Sequence, residues 1–308
     1  MRTVEEMEPT PLRPAKAIQQ LRNALRGKAE VLEPHEAEEP ILEASVRAAA
    51  FGWLAEINAR DELAKVNVKP RSTGLLFGPP GCGKTTLAHH LAARLGFPMV
   101  LVGSENIMAS YLGEAEKNVA NLFDSLRDVG TPCLVMLDEI EAVGGRRDRN
   151  KGGGADNART SILTVLLRKI EAFEGILIGA TNRPDDLDPA LWRRFGMHID
   201  VALPDFEARW AILKRYSQPF HIDDDTLDAL AEGTEGAAPS LLRQMMEGLK
   251  RLQVLAPRTR VTVPNMPEAL ACIIGQVKPH PDYEPPPLWR DPGLLKRLNA
   301  AWPMKRAT

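Results

Sequence analysis

The chain has 308 residues, 44% hydrophobic and 26% charged, with a formal net charge of −2. That length accommodates one α/β domain plus something smaller, and the near-neutral balance gives no global electrostatic case for nucleic acid, although a local basic patch remains compatible with it. Cys82, Cys133 and Cys272 are too few and too scattered for a disulfide framework or a zinc site, and no run approaches the roughly 18 apolar residues of a membrane span. The acidic start, Met1 to Glu6, lacks the apolar stretch of a signal peptide, so the expectation is a cytoplasmic protein with no membrane partner.

Residues 1–40 are rich in Pro and Glu and read as a flexible N-terminal segment, carrying a short amphipathic helix over 15–29 through Ile18, Leu21 and Leu25. A helical period returns from Ile41 to Leu63, with Val46, Phe51, Trp53, Leu54 and Ile57 among its candidate buried positions. Strands and helices then alternate: strand 74–77, helix 84–95, strand 98–102, helix 114–128, strand 133–137, helix 157–171, strand 176–180. Alternation at this spacing predicts an α/β domain over 41–204, a parallel sheet with helices on both faces. Past Pro204 strand signals fade, and helical patterns run on over 205–277. Residues 278–308, with Pro285-Pro-Pro287, Trp289 and Trp302, read as a C-terminal tail.

Between the strand at 74–77 and the helix from 84 lies Gly78-Pro79-Pro80-Gly81-Cys82-Gly83-Lys84-Thr85-Thr86, a complete phosphate-binding loop. Its backbone N–H groups would curl around the β-phosphate at the positive end of a helix. Lys84 would reach the β- and γ-phosphates, and the Thr85 hydroxyl would ligate Mg²⁺, so ATP and Mg²⁺ are the expected cofactors. The apolar run from Cys133 ends in Asp138-Glu139, which a buried strand would deliver beside that loop. Asp138 is suited to the Mg²⁺ hydration shell, and Glu139 to accepting a proton from the attacking water or orienting it. A third apolar strand ends in Thr181-Asn182, an amide able to bond the γ-phosphate or the water. Arg193 and Arg194, adjacent and far along the chain from the loop, suggest cations donated to a neighbouring subunit's γ-phosphate.

In this order, Gly-Pro-Pro-Gly-Cys-Gly-Lys-Thr, Leu-Asp-Glu, Gly-Ala-Thr-Asn-Arg-Pro and Leu-Asp-Pro-Ala-Leu-Trp-Arg-Arg-Phe resemble the AAA+ ATPases, more closely the AAA proteins that remodel or unfold other proteins. The resemblance covers residues 70 to about 275 and implies a P-loop NTPase sheet followed by a small helical lid, in a ring that is usually hexameric. It makes Asn182 the sensor-1 residue and Arg193 and Arg194 the finger candidates, and it maps lid helices to 207–218, 224–232, 239–255 and 264–276. Ser110-Tyr111-Leu112-Gly113-Glu114 resembles the family's first pore loop, with Tyr111 and Leu112 facing a threaded protein substrate, and the basic run 146–154 stands at its second. Arg243 falls near the family's sensor-2 position, but a turn late. The set also looks like compact bacterial AAA proteins that work beside a separately encoded protease. No His-Glu-x-x-His protease motif accompanies it.

Two other readings stay open. One is an AAA+ ATPase regulating a DNA transaction of the transposition or replication-loading type, against which stand the charge balance, the lack of a helix-turn-helix pattern and Tyr111. The other is a non-hydrolysing nucleotide-dependent scaffold, disfavoured by Glu139 and the paired arginines.

Overall fold

The computed structural model describes residues 15–108, 113–145, 154–259, 263–298 and 301–306, with backbone alone at 154–159 and 297. These divide into two units, the first within 1–40, 44–78 and 84–201, the second within 41–43, 79–83 and 202–308.

The first unit is built on strands β1 (Glu30–Leu32), β2 (Thr73–Phe77), β3 (Met99–Val102), β4 (Leu134–Leu137), β5 (Ile176–Thr181) and β6 (Met197–Asp200), in the order β1-β3-β4-β5-β2-β6. Its helices are α1 (Ala15–Ala24), α2 (Ala44–Asn58), α3 (Arg60–Ala64), α4 (Lys84–Arg94), α5 (Ser104–Ile107), α6 (Glu114–Val129), α7 (Glu141–Gly144), α8 (Gly154–Ala172) and α9 (Pro189–Trp192). Strands β2 to β6 pair in parallel, and β1 adds an antiparallel edge with Val31 opposite Val100.

Period-two alternation splits the strand residues between two buried faces. Leu75, Val100, Val102, Val135, Leu137 and Leu177 share one core with Ile18 and Leu21 of α1, Leu122 and Phe123 of α6, and Leu166 and Ile170 of α8. Their neighbours Leu76, Met99, Leu134, Met136 and Ile178 are also fully buried, on the face where α4 meets β3, β4 and β5. Both faces are covered, as a parallel sheet requires. Gly74 leaves space for the Trp53 ring, which would stand 2.6 Å from a Cβ there. Trp53 in turn donates its indole N–H to the Arg71 carbonyl at 2.8 Å, pinning α2 beside the start of β2.

The N-terminal segment departs from the flexible stretch that its composition predicts. Beyond α1 it contributes β1, and His89 Nε2 lies 2.9 Å from the Glu33 carbonyl oxygen. A three-residue strand is too short to show a period, and its hydrogen bonds come from the exposed edge of β3 rather than from its own pattern.

The second unit is helical: α10 (Phe206–Ser217), α11 (Asp224–Gly233), α12 (Pro239–Thr259), α13 (Met266–Gln276) and α14 (Pro287–Arg290), with a two-stranded pair, β7 (Phe220–His221) and β8 (Lys305–Arg306). Asp205, Asp223 and Asn265 cap α10, α11 and α13 by accepting from Ala208, Thr226 and Glu268 N–H groups.

The stretch after 277 is not a loose tail. Leu288, Leu295, Leu298 and Met304 are buried in the same core as Leu230, Met245 and Leu270. Trp289 donates to the Val277 carbonyl (2.7 Å), and Gln253 both donates to and accepts from the Met304 backbone at 2.8 Å. These anchors are irregularly spaced among prolines, so no period in the sequence marks them.

Candidate active site

Between the end of β2 at Phe77 and the start of α4 at Lys84, the chain turns through Gly78, Gly81 and Gly83 at φ of +139°, +78° and +90°. Side chains are rarely tolerated there. At Gly78 a Cβ would come 2.4 Å from the Val201 carbonyl oxygen. Lys84 is only 7% exposed, and its Nζ donates to the Gly78 carbonyl at 2.8 Å, so the ammonium is held at the end of β2. Thr85 and Thr86 follow, half-buried, in the first turn of α4.

The apolar β4, buried at all four positions, delivers the carboxylates. Asp138 N–H donates to the Val102 carbonyl (2.9 Å), which fixes where the strand stops. The Thr85 hydroxyl donates to Asp138 Oδ2 at 3.4 Å, bringing together the two oxygen ligands expected for Mg²⁺ from residues 53 apart in sequence. Glu139 is exposed and adopts a left-handed φ of +50°. Its N–H donates to Asp138 Oδ1 (3.0 Å), and its Oε2 accepts from the Ser104 hydroxyl (3.3 Å). Asp138, Glu139, Gly103, Ser104 and Glu105 border a cleft of about 650 Å³.

Strand β5, buried throughout, stops at Thr181. The next residue, Asn182, is half-buried, and its backbone N–H donates to Glu141 Oε1 at 3.2 Å. Asp188 caps α9 by accepting from Ala190 N–H (2.7 Å), and the two arginines follow directly. They differ in surroundings. Arg193 is exposed, with Nε donating to the Pro189 carbonyl (3.0 Å), whereas Arg194 pairs with Glu171 of α8 at 2.6 Å.

Within the second unit, Pro79 is half-buried, Pro80 exposed and Cys82 buried. Gly81 accepts from Ser240 N–H (3.1 Å), and a Cβ at Gly81 would meet the Ser240 hydroxyl at 2.1 Å. Arg243 bonds Glu247 one helical turn on (2.8 Å) and lies over the Tyr216 ring at 5.3 Å. Tyr111, Leu112 and 146–153 lie outside the described residues. Sequence reasoning missed Ser104, Glu141 and Ser240. Ser104 lies two positions past the end of β3 and Glu141 four past the end of β4, and a polar residue close after a strand end was the available signal.

The loop between β2 and α4, the paired carboxylates after β4 and the strand order define a P-loop nucleoside-triphosphatase fold. Residues 74–203 match the family model described as "ATPase family associated with various cellular activities (AAA)". The chain is 36% identical over 218 residues to a proteasome-activating nucleotidase of Pyrococcus horikoshii, covering 68% of this chain and 54% of that protein. It is 38% identical over 208 residues to the ATP-dependent zinc metalloprotease FtsH of Mycobacterium leprae, covering 65% and 26%, and to FtsH 1 of a Thermoanaerobacter species, covering 65% and 34%. The chain is a member of the AAA+ ATPase superfamily. It spans about half the length of the nucleotidase and less of the metalloproteases. No helix among the described residues is long and apolar enough to cross a membrane.

Proposed function

We propose that the chain hydrolyses Mg²⁺-bound ATP as a subunit of a homo-oligomeric ring, a hexamer by family resemblance, and uses the energy to remodel or unfold protein substrates in the cytoplasm. The observation that carries the reading is the meeting of Thr85 and Asp138 beside Lys84 and Glu139. Relatives named as a proteasome activator and as ATP-dependent proteases favour a polypeptide substrate, and a separately encoded protease as partner. Residues 41–204 would serve as the nucleotide-binding domain and 205–277 as the lid.

The donor set fits the cofactor. Thr85 and Asp138 would hold Mg²⁺, which neutralises phosphate oxygens when bound. The buried Lys84 ammonium exchanges a backbone carbonyl for phosphate oxygens, so little side-chain ordering accompanies nucleotide binding. Glu139 would orient water and take its proton, while the Asn182 amide at the end of β5 would bond the γ-phosphate or that water. Arg193 and Arg194 supply positive charge to a neighbouring subunit's site. Tyr111 and Leu112 would grip substrate.

The test is a pair of substitutions. Lys84→Ala abolishes nucleotide binding, whereas Glu139→Gln binds ATP, holds it and captures client protein in a pull-down. Wild-type turnover in the Glu139→Gln protein refutes the role assigned to Glu139. Client remodelling that persists in Tyr111→Ala refutes pore threading.

A further inference from the structure

Helix α7 follows the two carboxylates directly. At its start, Ile140 N–H donates to the Ala180 carbonyl (3.0 Å) of β5, and Glu141 Oε1 accepts from Asn182 N–H (3.2 Å). At its end, the Gly144 carbonyl accepts from Asp188 N–H (2.8 Å), and Gly145 bridges Leu187 in the segment leading to the arginines. Packing there leaves no slack, since a Cβ on Gly144 would stand 2.1 Å from Leu191 Cδ2. One short turn is thus bonded to the strand tip and to the segment ahead of α9.

Glu141 is the unusual member of this set. Its Oε2 is buried and has no hydrogen-bond partner among the described residues. An unsatisfied buried carboxylate oxygen destabilises the fold, so the side chain is not explained by packing. Asn182 lies one residue past the last sheet pair, Phe77 with Thr181, so its N–H donates to Glu141 instead of to a neighbouring strand.

We propose that Glu141 is a positioning residue. It fixes the Asn182 peptide, and hence the direction of the Asn182 amide, and through α7 ties that orientation to the turn carrying Arg193 and Arg194. The inference rests on the hydrolytic reading of Asn182 given above. Without the acceptor the Asn182 peptide is free to rotate and its amide leaves the productive direction, while the loop that binds nucleotide is untouched.

The experiment measures steady-state ATPase, affinity for a fluorescent ADP analogue and thermal unfolding for Glu141→Ala, Glu141→Asp, Glu141→Gln, Asn182→Ala and the Glu141→Ala/Asn182→Ala double variant. Expected is a kcat loss of about ten- to a hundredfold in Glu141→Ala and Glu141→Asp, since an ångström-scale misplacement is enough. KM and ADP affinity stay within about twofold, which separates positioning from binding. Glu141→Gln keeps the Oε1 acceptor and restores most of kcat. The double variant is no slower than Asn182→Ala alone. A normal kcat in Glu141→Ala with a slow Asn182→Ala overturns this inference and leaves the hydrolytic reading intact, as does multiplicative loss in the double variant. A normal kcat in Asn182→Ala overturns the role of Asn182 itself. Should Glu141→Ala fail to fold, Glu141→Asp and Glu141→Gln decide the matter.

Discussion

Glu139→Gly is expected to make the protein more stable while removing its activity. Glu139 and Asn67 are the non-glycine residues with positive φ among those described, at +50° and +59°. Asn tolerates that region through its short polar side chain, whereas Glu does not. Holding a non-glycine residue there costs about 1–3 kcal/mol. Glycine relieves the strain but loses about 0.5–1 kcal/mol more chain entropy on folding. The Glu139 side chain is exposed, and its bond to Ser104 is long at 3.3 Å, so little packing is lost. The net gain is about 1 kcal/mol, or roughly 2–4 °C in Tm for a unit of this size. Glu139→Ala is the control, since it deletes the same carboxylate and keeps the strained backbone. Thermal unfolding without nucleotide should rank glycine above wild type and wild type at or above alanine, with turnover lost in both variants. A glycine variant that melts at or below the alanine variant refutes the argument that strain is retained at Glu139 for function.

Leu288→Ala should destabilise the second unit by about 2–5 kcal/mol, because Leu288 is 2% exposed and fills the space left by Gly233. Denaturant melts followed by tryptophan fluorescence check this, and a loss under about 0.5 kcal/mol would mean that the segment after 277 is a dispensable tail after all. His90 carries a pKa lowered first by burial, then by Arg94 and His89, against the opposing pull of Glu39. A depressed histidine contributes stability that is complete above the unfolded value near 6.5 and lost as pH falls through the folded one. Wild type should therefore lose Tm between about pH 7 and 5 more steeply than His90→Gln, and equal slopes would exclude His90 as the cause.

Much of the sheet was readable because parallel strands buried on both faces announce themselves as apolar runs. Those ending at Leu137 and Thr181 also carry a polar residue immediately after the last strand position. The phosphate loop was legible because its glycines, Lys84 and Thr85 fall at fixed spacing within one short stretch, at positions where the backbone of the glycines takes positive φ. What escaped was tertiary in origin. β1 exists because β3 offers an unpaired edge, and the segment after 277 is ordered by apolar side chains with no shared period. Glu141 carries no motif of its own in the sequence. Its meaning lies in a bond to Asn182, 41 positions away, that no local pattern encodes.

The arginine pair shows how far residue type alone can carry a site. In sequence Arg193 and Arg194 are equivalent, yet they leave the end of α9 in different directions, one along its own turn and the other to Glu171. Both partners of the Arg194 pair are substantially exposed, at 40% and 50% of the side chain, and such pairs are worth about 0–1 kcal/mol. A phosphate group carries more charge than Glu171 and would bind the guanidinium in a fork, so the pair is weak enough to exchange. Arg193, whose Nε bonds the Pro189 carbonyl, has no ion pair to release among the described residues. If a neighbouring subunit presents its nucleotide here, Arg193 responds to charge alone, while Arg194 responds also to whatever moves α8. On the proposed reading, α8 then has a physical route, through Glu171 and Arg194, to hydrolysis in the neighbouring subunit.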